Sequence, residues 1–372
     1  MARIRTIYNE EALLAGPSPA TGVHTTGNIK RINRVQSLGM TSEIPLENVN
    51  EYGKLAAIDR VNRGGINSTV QFSYLVTDFE NEFNLGFNVN STQSAVSNFL
   101  NKTADDRNYF RVVAPEGTDA EGTPASGVAV LAVGNGFLTS YSFEAAVGAW
   151  PTSTVNVAGL NMTSHLDGVA EPLPAVDPTT GRKASGTFTL PTIPAASAGK
   201  PSVIQPGDVK VTFSNPSGGI FQTLNQNSIN INSIGFDFDL NLENIEGLGS
   251  RLPKDKTITF PVNINVRMES LFSDLVAANL VDTLCTPQPT DITIDLYNSN
   301  CDSSGPALDN IFAKIIIKNA KIDNEDLSGS IGPNDTVTMN FTSQIGAVND
   351  TANGVFFSGV YGYSGITPLY SA

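Results

Sequence analysis

The sequence predicts a mainly β protein of two tandem β-sandwich domains, each with a flanking α-helix, and three observations carry that reading. The chain repeats itself, its apolar residues alternate with polar ones over strand-length runs, and Gly and Pro punctuate those runs at short intervals. At 372 residues it exceeds the usual size of one hydrophobic core. Hydrophobic residues at 40% suffice for packed cores, and 33 Gly with 21 Pro supply the turns between short strands.

The repeat comes first. Val35 to Gly53 aligns without gaps on Ile231 to Gly249 at an offset of 196, with Ser37/Ser233, Gly39/Gly235, Leu46/Leu242, Glu47/Glu243, Asn48/Asn244 and Gly53/Gly249 identical. Val35/Ile231, Leu38/Ile234, Met40/Phe236, Ile44/Leu240 and Val49/Ile245 are apolar in both copies. An even offset preserves strand phase. Phe236, Phe238, Leu240 and Leu242 alternate with Asp237, Asp239, Asn241 and Glu243, the period of a strand with one dry and one wet face. The first copy follows this pattern more weakly, with Ser42 and Pro45 as defects.

A second match sets Ala132 to Gly148 beside Ile316 to Gly332 at an offset of 184, with Asn135/Asn319 and Gly148/Gly332 identical. Past a two-residue insertion in the first copy, Pro151 to Val155 aligns with Pro333 to Val337. Order and spacing together indicate duplication of a whole domain. The expected division is an N-terminal arm (1–28), a first domain (29–163), a Pro/Ala/Gly-rich linker or arm (164–207), a second domain (208–348) and a C-terminal tail (349–372).

Within the second copy the pattern predicts strands at Ser233 to Leu242, Thr257 to Val266, Asp291 to Tyr297, Lys314 to Lys318 and Thr336 to Phe341. A helix is expected over Glu269 to Leu284, where Leu271, Leu275 and Ala278 recur at helical spacing.

Charge and motifs exclude several function classes. Against 22 Lys+Arg stand 36 Asp+Glu, a net charge of -14 that repels nucleic-acid phosphates. No stretch approaches a membrane span, and the N-terminal residues lack the apolar run of a secretory signal, so cytoplasmic synthesis is expected. Cys285 and Cys301 are too few for a disulfide framework and are read as reduced thiols, a single bridge being the alternative. Nucleophilic catalysis needs a basic partner, and His24 and His165 both lie outside the expected strands. Gly199 to Ser202 has Pro after its Lys and cannot open a phosphate-binding helix. Asp237, Asp239, Asn241 and Glu243 do not form a calcium loop, because Leu242 stands where such a loop requires Gly. Trp150, the only tryptophan, is read as core or interface packing. No catalytic, cofactor-binding or metal-binding residue is singled out, and no enzyme activity is expected.

Ile32 to Val61, INRVQSLGMTSEIPLENVNEYGKLAAIDRV, resembles the tail tube proteins of long-tailed, siphophage-type bacteriophages. In that resemblance a hairpin marked by VNEYGKL and IDR precedes a long strand such as Ser68 to Val76, and Val147 to Met162 matches the closing strands. It implies tail-tube-like sandwiches whose sheets join round a ring into an inner barrel. A duplicated chain would give a trimeric, pseudo-hexameric ring. Rings would stack around a tape-measure protein, bounded by tail terminator or tip proteins, into a virion tail assembled in the host cytoplasm and conducting DNA without binding it specifically. Glu43, Glu47, Asp239 and Glu243 are then candidate lumen-facing acids, because they share a phase on one strand face. The poorly patterned segments Met1 to Asn28, Thr77 to Asp106 and the tail from Gly346 are candidates for joining successive rings, or are surface loops. Three alternatives stand beside this reading: another virion β-sandwich component such as a decoration or baseplate protein, a carbohydrate-binding adhesin module, and a glycosidase using some pair of the many acids.

Overall fold

A computed structural model describes residues 10–18, 28–62, 64–90, 92–103, 105–122, 127–166, 171–177, 180–194, 203–214, 231–249, 252–253, 255–271, 289–302, 305–328 and 335–359. The fold is mainly β, with large antiparallel sheets.

The first unit opens with β1 (Glu11–Pro17), β2 (Lys30–Ile32), β3 (Val35–Glu43), β4 (Leu46–Val49), β5 (Asp59–Asn62) and β6 (Asn67–Leu75). Two short helices follow, α1 (Glu80–Leu85) and α2 (Ser97–Leu100), and then β7 (Arg107–Val113), β8 (Ala129–Ala146), β9 (Ala149–Gly159) and β10 (Asn161–Leu166). Four two-residue strands make up β11 (Glu171–Pro172), β12 (Val176–Asp177), β13 (Arg182–Lys183) and β14 (Thr187–Phe188). The second unit holds β15 (Val209–Ser214), β16 (Ile231–Asp239), β17 (Leu242–Ile245), β18 (Asp255–Ile258) and β19 (Asn263–Leu271). It closes with β20 (Thr290–Asp302), β21 (Gly305–Ser328), β22 (Thr336–Gln344) and β23 (Gly354–Gly359).

The long strand β8 organises the first unit. Its first half pairs with β7 and β10, and its second half pairs with β9, so one strand belongs to both layers of a sandwich. β1 extends the first layer beyond β7, and β6 and β3 extend the second beyond β9. Alternation fills the space between them: Val70, Phe72 and Tyr74 of β6 are buried, while Asn67, Thr69 and Gln71 are exposed.

The second unit repeats this strand for strand. β15 pairs with β20, β20 with β21, β21 with β22 and β23, and β22 with β19. Irregularities repeat too. A register shift after Leu138 recurs after Ile322, and one after Arg107 recurs after Thr290. Asn135 and Asn319 both take left-handed backbone, φ 51 and 56, at the bend of the long strand. Each donates its backbone N–H to a side-chain oxygen on the neighbouring strand, Asn108 Oδ1 at 3.1 Å and Asp291 Oδ1 at 3.0 Å. Asn tolerates positive φ, which accounts for its identity at both positions.

Several expectations need correction. The strand expected from Ser233 to Leu242 breaks at Asn241, φ 38, leaving β16 and a separate β17. The strand expected from Thr257 to Val266 is β18 and β19, split at Pro261, which has no N–H for a ladder. Residues Glu269 to Leu271 of the expected helix end β19, and the rest of it lies outside the described residues. No insertion separates the copies at β9: Thr152 faces Leu75 as Thr336 faces Leu271, so the offset of 184 continues and Thr152, not Thr154, matches Thr336. The N-terminal arm contains β1, a buried strand, and the C-terminal tail contains β23, buried throughout. Both are held in the sheets by ladder pairing. Cys285 and His24 lie outside the described residues, as does the side chain of Cys301.

The described residues of the expected linker are also folded. Leu173, Phe188, Leu190 and Ile193 pack as a strap on the outer face of β1, β7 and β8, where Ala12, Leu14, Phe110, Val112, Val130 and Ala132 form a second core. Phe188 meets Phe110 at 4.6 Å. The equivalent face of the second unit carries Lys210, Thr212, Thr293, Asp295, Lys314 and Ile316, with an ion pair between Lys314 and Asp295 at 3.1 Å. One copy has therefore been made apolar to receive the strap and the other left polar. Phe188→Ala is expected to cost about 3 kcal/mol and to open new protease cleavage within residues 171–193, measured by thermal melts and limited digestion. An unchanged digest would mean that the strap is held elsewhere.

Candidate assembly surface

The two units join edge to edge. β16 of the second pairs antiparallel with β8 of the first from Ser233↔Ala146 to Asp239↔Ser140. The result is one continuous sheet in the order β3, β6, β9, β8, β16, β19, β22, β21. One face of it is the core. Phe236 and Phe238 of β16 reach Tyr141 across the seam at 6.0 and 5.7 Å, and Phe357 of β23 meets Phe79 at 5.0 Å and Phe87 at 5.6 Å.

The stretch Thr77 to Asp106, expected as a ring-joining segment or surface loop, is instead much of this joint. Phe79, Leu85, Phe87, Val89, Ala95, Val96 and Phe99 are buried, and the Ala95 N–H donates to the Val355 carbonyl at 2.7 Å. A six-residue helix cannot stand alone, so α1 exists because this packing holds it.

The other face is open and polar. A single row across all eight strands reads Ser37, Ser73, Thr154, Ser142, Asp237, Asn265, Thr342 and Lys321. Neighbouring hydroxyls and amides bond across this face: Ser37 Oγ to Ser73 Oγ at 2.6 Å, and Asn156 Nδ2 donating to Ser140 Oγ at 2.7 Å, a bond that Asn340 repeats to Asn324 Oδ1 at 2.5 Å. Carboxylates Glu43, Glu144, Asp237, Asp239, Glu269 and Asp326 lie on this face against Arg267 and Lys321. The face has an acidic excess.

Of the four acids singled out in the sequence, Glu43 and Asp239 end β3 and β16 on this face. Glu47 and Glu243 are exposed on the β4–β5 and β17–β18 hairpins, which are two-stranded sheets of their own. The shared strand phase is broken because the chain turns after each of the first pair. Glu144, Glu269 and Asp326 are not among the sequence candidates, and they share this face with Asp237 through pairing across strands distant in the chain.

The hairpins differ in surroundings. In the second, Leu242 and Ile258 pack against the main core, Asp255 pairs with Lys102, and Lys256 Nζ sits 5.1 Å above the Phe137 ring. In the first, every residue of both strands is exposed. Trp150, expected in packing, is half exposed at the start of β9, and His165 is exposed on β10.

Two acids, one buried and one partly buried, stand apart. Glu82 of α1 is enclosed, with Tyr74 and Tyr141 hydroxyls donating to its Oε1 at 2.7 and 3.0 Å. Burial pushes its carboxyl up to about 7 against those bonds. Burial likewise raises Asp106 to about 6, although Asn135 Nδ2 donates to it at 2.9 Å. Among the described residues no group of three His, Cys, Asp or Glu is placed to hold a metal ion, and no helix is long and apolar enough to cross a membrane.

No protein-family model and no curated protein matches the chain. Among solved structures, the chain is similar to one in the anti-feeding prophage (AFP) baseplate, at 15% identity and a TM-score of 0.27, covering 41% of this chain and 93% of that one. It is also similar to the SPP1 tail tube, at 10% identity and a TM-score of 0.30, covering 44% of this chain and 80% of that one.

Proposed function

We propose that this chain is a structural protein of a bacteriophage virion that assembles into rings, three chains and six units to each, stacked as the tube of a long tail. The observation that carries the reading is the internal seam: two copies of one fold already share a sheet edge to edge, and no described strand pairs with either outer edge of that sheet. A subunit with complementary edges closes into a ring, and with complementary ends it stacks. The resemblance of residues 32–61 to tail tube proteins supports the same assignment.

In this reading the polar face lines the bore. Its acidic excess repels phosphate, so DNA passes without sticking, and its short Ser, Thr and Asn side chains leave the channel wide. The tape-measure, terminator and tip proteins are the expected partners, assembly takes place in the host cytoplasm, and no catalysis is assigned to the chain.

Electron microscopy of the purified protein at rising concentration, with and without other tail components, tests this. Annuli that stack into tubes of uniform bore are expected. Rings that never stack would assign the chain to another part of the virion, and monomers alone under all conditions would overturn the proposal.

A further inference from the structure

The first unit leaves uncovered what the second unit buries. Leu240 is 1% exposed beneath the first unit, whereas its counterpart Ile44 is 54% exposed. Leu38 and Met40 are only partly buried where Ile234 and Phe236 are enclosed. β23 is buried throughout by α1 and its flanks, but β10, the same strand of the first unit, is open, with Leu166 73% exposed. At the other end, residues 321–328 of β21 pair with β22 on one side, and no described strand lies on the other.

Glycine marks the same asymmetry. A Cβ on Gly235 would sit 3.0 Å from the Phe143 carbonyl across the seam, closer than backbone normally allows. On Gly39 it would meet only the Gln71 carbonyl of its own sheet, at 3.9 Å. Nothing among the described residues requires glycine there, and no positive φ does.

We infer that β3 of one copy pairs antiparallel with the end of β21 in a second copy, in the register that β16 keeps against β8. The internal pairs Asp237↔Ser142 and Gly235↔Glu144 then translate, through the two offsets, to Thr41↔Asp326 and Gly39↔Ser328 between copies. Gly39 is glycine for a neighbour that another copy supplies. The partner is this chain itself, because its own second unit displays the edge that its first unit already uses once. Ser42, where β16 has Phe238, fits a strand that stays exposed until assembly, since an edge without a large aromatic ring resists wrong pairing. The inference rests on the ring reading and adds its register.

Thr41→Cys with Asp326→Cys, in a chain whose Cys285 and Cys301 are Ser, is the test. Both positions are exposed on the polar face. Under mild oxidation of assembled protein, covalent multimers ending at the trimer are expected. Thr41→Cys with Asn324→Cys should cross-link several-fold less, because a diagonal pair exceeds disulfide reach. Gly39→Thr should leave the melting temperature of the dispersed chain unchanged and raise the concentration needed for assembly at least tenfold. If tubes form while the first pair stays reduced, or the second cross-links better, or Gly39→Thr assembles like its parent, the register is wrong and the tube reading stands. If microscopy of the parent shows monomers alone, both fail.

Discussion

Raising the pH from 5 to 8 is expected to weaken the fold, with about 2.5 kcal/mol of the loss set by Glu82 alone. Its carboxyl is raised from 4.5 to about 7 by burial. Below pH 4.5 the group is neutral in both folded and unfolded chains, and the stability of its site is fully present. Between 4.5 and 7 the unfolded chain releases the proton while the folded chain keeps it, so each step up in pH favours unfolding. Above 7 both forms are ionised and the loss levels off. Asp106, raised to about 6, adds a loss of the same sign over a slightly lower range. Glu82→Gln keeps an acceptor for Tyr74 and Tyr141 without the charge, so it should remove roughly half of the combined slope in urea unfolding followed across pH. A slope unchanged in that variant would place the titration elsewhere.

Phe238→Ala is expected to cost about 4 kcal/mol, within the range for deleting an enclosed ring. Phe238 is fully buried, stacked on Tyr141 at 5.7 Å and edge-on to Phe87 at 6.4 Å, and both of those residues belong to the other unit. The loss therefore falls on the seam, and calorimetry should show one transition splitting into two as the units uncouple. Its counterpart Ser42 lies exposed on an edge with no described partner strand, and Ser42→Ala should change stability by less than about 0.5 kcal/mol. Equal costs at the two positions would contradict a shared core.

Some of this was legible in the chain itself. Alternation at Phe236, Phe238 and Leu240 announced a strand with one dry face, and the offset between Val35 and Ile231 announced the duplication, because period and repeat are properties of neighbouring residues. The Asn135/Asn319 identity marked a bend whose geometry recurs in both units.

Other features had no local signal. Leu173, Phe188, Leu190 and Ile193 follow no strand or helix period among their prolines, so nothing nearby indicated that they cover a sheet. Phe79, Phe87 and Phe99 lie in a stretch rich in Asn that carries no strand or helix period, and they are buried because the second unit packs against them. Nor could strand phase keep Glu43 and Glu47 together past Pro45, or Asp239 and Glu243 together past Asn241.

Side-chain order along the chain is enough to specify two copies of one mainly β fold and the dry face of most strands. Which edges meet, which polar face stays open and which acids share it depend on the folded arrangement. An edge is a row of backbone donors and acceptors that every sequence carries alike, and its partner is fixed by which rows the rest of the fold leaves unpaired.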